Sequence, residues 1–105
     1  MKLVNLMLDN PKLSIELLNH KYISTLIYSY LELGPTSRQI ADNVKPLLVH
    51  LIKVVKDNED VKRYLDWALM RKETKIIKEE MKGQGKELEG LAKELESIVE
   101  RAGPH

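Results

Sequence analysis

Pro46-Leu47-Leu48-Val49-His50-Leu51-Ile52-Lys53-Val54-Val55-Lys56 is the stretch on which the fold turns. On a helical projection its leucines, valines and isoleucine cover most of the circumference, leaving His50, Lys53 and Lys56 as a polar stripe. A helix apolar nearly all round must be buried among neighbours. The β-branched residues would also suit a buried strand, but no partner strand is legible and the flanking segments read helical. The stretch therefore predicts a buried core helix over about residues 46–57, with His50 on its wet side.

Toward the N-terminus, Thr36 and Gln39 stand in the S/T-x-x-Q relation of a capping box. They open a short helix with Ile40, Ala41 and Val44 facing inward, which Pro46 is expected to end as it starts the core helix. Before it, Ile23, Leu26, Ile27, Tyr30, Leu31 and Leu33 recur at helical spacing from Tyr22, and Gly34-Pro35 supplies a stop. Asn10 and Pro11 read as N-cap and first residue of an earlier helix carrying Leu13, Leu17 and Leu18, with a joint at His20-Lys21. The apolar run from Leu3 to Leu8, interrupted by Asn5 and ended by Asp9, is too short for a signal peptide.

Toward the C-terminus the pattern becomes a heptad. Trp67, Thr74, Met81, Leu88, Leu95 and Ala102 form one series, and Met70, Ile77, Gln84, Leu91 and Ile98 the other. The register crosses Gly83-Gln84-Gly85 without a shift, as in one rod from about Glu59 to Ala102. Two glycines, however, cost a helix about 2 kcal/mol relative to alanine. Charge changes sign there too: residues 71–86 carry six basic and three acidic side chains, residues 87–105 two and five. A hairpin folded at the glycines would set a basic arm against an acidic one. Rod and hairpin both remain open on these grounds, with the charge reversal favouring the hairpin.

Composition bounds the function. A chain of 105 residues with 17 basic and 16 acidic side chains has a formal charge of +1, so no global field holds nucleic acid or an anionic membrane. Without cysteine there is no disulfide, thiolate nucleophile or zinc-thiolate site, which suits a cytoplasmic protein. The most apolar segment is too short to span a bilayer, so no membrane partner is expected.

Residues from Ser37 to about Lys56 resemble a helix-turn-helix, because Ile40, Ala41, Val44, Leu51 and Val54 fall where such motifs place core residues. The resemblance implies DNA binding, with Arg38, Lys45, Lys53, Arg71, Lys75 and Lys78 as nucleic-acid contacts. Lys45-Pro46 stands where the turn glycine usually does, and Leu47, Leu48, Val49 and Ile52 offer methyl groups where base edges need hydrogen-bonding groups. Gly83-Gln84-Gly85-Lys86 lacks the spacing, the hydroxyl residue and the preceding strand of a phosphate loop. His20, His50 and His105 share no evident face with a carboxylate at ligand spacing, the serines lack a nucleophile elbow, and no cofactor fingerprint is present. No catalytic, cofactor-binding or metal-binding residues are expected.

The sequence thus predicts an all-α protein: a bundle of short helices over residues 1–70, then a charged heptad arm over 71–105, coiled coil or hairpin, that does not fold independently. The function that fits is a non-enzymatic protein-protein interaction or oligomerisation module, most simply a homodimer, with Met81, Leu88, Leu91, Leu95 and Ile98 as the interface. The alternative is a DNA-binding regulator dimerised through the arm.

Overall fold

A computed structural model describes residues 10–57 and 59–103. The apolar run from Leu3 to Leu8 lies outside them. Six helices form among the described residues: α1 (Pro11–Leu18), α2 (Tyr22–Glu32), α3 (Ser37–Asp57), α4 (Glu59–Lys62), α5 (Trp67–Glu80) and α6 (Lys86–Ala102).

Local chemistry sets several of the boundaries. The Leu13 N–H donates to the Asn10 side chain at the start of α1. Lys21, at φ 59, makes the left-handed joint before α2. At α3 the capping box closes in both directions: the Gln39 N–H donates to Thr36 Oγ1 at 3.2 Å, and the Thr36 N–H to Gln39 Oε1 at 2.8 Å.

Pro46 does not divide α3, contrary to the expectation of two helices; Ser37–Asp57 is one helix with the proline inside it. A proline there removes a hydrogen bond to the Asp42 carbonyl and costs about 3 kcal/mol. Pro46 and Asp42 are both exposed, so water reaches the carbonyl it leaves free. On the opposite face Val44, Leu47 and Leu48 are fully buried and hold both halves of the helix to one core. With no turn at Lys45-Pro46, the second helix of the helix-turn-helix resemblance is not a separate element.

The long last helix expected from about Glu59 is also corrected, because it stops after Lys62 and restarts at Trp67. Asn19, at the end of α1, bridges the break: its Nδ2 donates to the Tyr64 carbonyl at 2.7 Å and its Oδ1 accepts from the Asp66 N–H at 2.8 Å. Asp66 then caps α5 by accepting from the Leu69 N–H.

Residues 67–102 form a hairpin rather than a rod. Gly83 and Gly85 have φ of 81° and 107°, in the region that glycine enters freely. The Gly83 N–H donates to the Glu89 carboxylate at 2.9 Å, tying the turn to α6. Lys78 on α5 pairs with Glu96 on α6 at 3.2 Å, one pair of the kind the charge reversal predicts. The hairpin is not a free arm, since α6 packs along α3 as well as α5. One core joins Ile23 and Ile27 of α2, Leu47, Leu51 and Val55 of α3, Met70 and Ile77 of α5, and Leu88, Leu95 and Val99 of α6.

Candidate functional site

The expected interface residues lie mostly inside this core. Met81, Leu88, Leu95 and Ile98 are buried, and Leu91 is half-buried against the core. The heptad does bury its apolar series, but against α3 and within its own hairpin, so these side chains are covered in a single chain. The six basic residues expected to contact nucleic acid are divided between two helices, Arg38, Lys45 and Lys53 on α3 and Arg71, Lys75 and Lys78 on α5. Arg38 lies beside Asp42 at 3.9 Å, Lys45 pairs with Glu87 at 2.6 Å and Lys78 with Glu96. Arg71 is half-buried beside Gly103, while Lys53 and Lys75 are exposed on different helices.

His50 departs from the expected wet stripe. It is 8% exposed, and neither ring nitrogen has a hydrogen-bond partner among the described residues. Burial, with Lys53 nearby, holds its pKa below the usual 6.5.

Perturbed groups concentrate where α2 crosses α5. The Ser24 N–H, on the first turn of α2, donates to Glu73 Oε2 at 3.2 Å. Glu73 is 4% exposed, and its Oε1 is buried with no donor among the described residues. Glu80 lies on the same side of α5 as Glu73, seven residues and about two turns on. Its Oε2 is likewise buried without a donor, and burial followed by the charge of Glu73 pushes its pKa from 4.5 up to about 7. Tyr28, one turn after Ser24, has its phenol pKa raised by a hydrogen bond to Glu32, by the charge of Glu32, and to a lesser degree by burial and Glu80. Two apolar side chains flank this group in the open: Tyr28 is 56% and Ile76 45% exposed.

Beneath this surface a cavity of about 10 Å³, bordered by Glu73, Thr74, Leu51 and Ile77, has room for about one water. Larger depressions lie elsewhere. One of about 370 Å³ is lined by Lys12, Ile15, Glu16 and Tyr64, and another of about 210 Å³ by Val55, Ile98, Lys56, Lys62, Arg101 and Ala102. No group of three or more metal-ligating side chains occurs among the described residues. None of their helices is long and apolar enough to cross a membrane.

The α2–α5 group escaped the sequence reading because Glu73 and Glu80 look like ordinary polar members of a charged helix. The available signal was their seven-residue spacing, which puts both on one side of α5. No protein-family model, curated protein or solved structure matches this chain.

Proposed function

We propose that this chain is a non-enzymatic protein-protein interaction or oligomerisation module of the cytoplasm, acting through the outer face of α2 and α5. The observation that carries the reading is the exposure of Tyr28 and Ile76 beside a carboxylate with a buried, donorless oxygen. Exposed apolar side chains ringed by polar groups are the anatomy of a contact surface. A partner that supplied a cation beside the half-buried Glu80 carboxylate would offset what burial and the charge of Glu73 cost its ionised form. The cavity beside Glu73 is far smaller than the about 300–1,000 Å³ of small-molecule sites, which favours reading the α2–α5 face as a contact surface rather than a pocket.

Gel shifts on random duplex DNA across a range of salt separate this reading from the DNA-binding alternative. An interaction module gives no shift with a steep salt slope, whereas contacts to several phosphates give one. Such a slope would replace our reading with the alternative.

A further inference from the structure

The Ser24–Glu73 bond sets α2 against one flank of α5, and the Lys78–Glu96 pair sets α6 against the other. Between Glu73 and the solvent-facing back of α5, on the α2 side, runs a stripe of Lys72, Ile76 and Glu80 at successive turns. Lys72 and Glu80 each stand four residues from Ile76. That spacing makes the stripe its own complement: a two-fold axis at Ile76 lays an antiparallel copy of α5 so that opposite charges meet on both sides of the axis.

We propose that the α2–α5 face binds a second copy of this chain, with Ile76 against the partner's Ile76 at the centre and two reciprocal pairs between Lys72 and the partner's Glu80. This rests on the interaction reading above and names the occupant of its surface. The charges needed are available. Lys72 is exposed and Glu80 half-buried, and neither makes an ion pair among the described residues. Lys78 on α5 is engaged with Glu96 and Lys82, just past the helix end, with Glu79, whereas Lys75 is exposed like Lys72 but lies one helical position farther from the Ile76–Glu80 line. Tyr28, close enough to Glu80 for their charges to interact, would lie beside the incoming lysine and cover its aliphatic stem. An unrelated partner would need a cation opposite Glu80 but no equal spacing about Ile76, so the symmetry favours a copy. With Ile76 and Tyr28 as the large exposed apolar anchors of this face, the association falls in the roughly micromolar range rather than the nanomolar.

Sedimentation of the full chain from roughly micromolar to millimolar concentration measures this directly, with circular dichroism confirming that each variant is folded. The wild type is expected to form dimers. Lys72→Glu and Glu80→Lys each place like charges across both pairs and should weaken dimerisation at least tenfold. Mixed together, the two variants regain opposite charges at both pairs and should form a heterodimer, and the double variant should dimerise by itself. A wild type monomeric at every concentration would overturn the proposal while leaving open a different protein partner. Single variants that dimerise as well as the wild type, or a mixture that fails to pair, would show that this face is not the contact even if the chain self-associates. Neither result resembles the DNA salt slope that would overturn the broader reading.

Discussion

At the scale of single residues, His50 and Glu80 give stability opposite dependences on pH. His50 is held neutral by burial, so below its ordinary pKa of 6.5 the unfolded chain takes up a proton more readily than the folded one. Its contribution is intact above that pH and declines below it. Glu80 runs the other way. With a folded pKa of about 7 against 4.5, the folded chain holds the extra proton, and stability falls as pH rises from 4.5 to about 7, then levels off. Urea midpoints measured on the monomer across this range should show a flatter acid limb for His50→Leu. Glu80→Gln should be more stable than the wild type at pH 8, by about 1 kcal/mol once solvent screening of a partly exposed carboxylate is allowed for. An unchanged acid limb in the first, or a less stable protein in the second, would contradict these assignments. Leu51 probes the centre of the core, where it is 1% exposed. Leu51→Ala should cost about 2–5 kcal/mol in chemical denaturation, whereas a loss under about 0.5 kcal/mol would place α3 at the periphery.

At the scale of the element, two substitutions test why α3 continues and why the hairpin turns. Pro46 interrupts the hydrogen bonding of α3 without ending it. Pro46→Ala restores a donor and removes a steric clash, though the unfolded chain gains freedom. The expected gain is about 1–2 kcal/mol, read as a higher melting temperature. A lower one would mean that packing requires the local geometry proline imposes. Replacing Gly83 and Gly85 together by alanine puts two side chains into left-handed backbone, at about 1–2 kcal/mol each. In a continuous helix the same change would stabilise, so the sign of the melting shift distinguishes hairpin from rod.

At the scale of the molecule, the radius of gyration of 12.8 Å matches the roughly 13 Å of a compact chain of this length, and a long rod would exceed it. The heptad segment supplies Ile77, Met81, Leu88, Ala92, Leu95 and Val99 to the shared core. A fragment of residues 1–70 should therefore lose cooperative unfolding, which calorimetry would reveal as the absence of a sharp transition. A sharp transition near that of the full chain would show that the first segment folds alone.

The sequence by itself determined what depends on near neighbours: helical content, the Asn10 cap, the Thr36–Gln39 box, and the buried face of residues 67–98. It also narrowed the glycine segment to turn or hinge, with charge tipping the balance toward the hairpin. These features arise from interactions within a turn or two of helix, so residue type and spacing carry them. Tertiary structure decided the rest: which surface covers the heptad face, that α3 passes through Pro46, that α5 restarts at Trp67, and that His50 and Glu73 are buried. Each depends on groups far apart in the chain. Asn19 stabilises the break before α5 across 47 residues, and Glu73 meets Ser24 across 49. Periodicity tells which side of a helix is apolar. Which other helix covers it, and which polar side chains are enclosed as a result, is set by the packing of the whole chain.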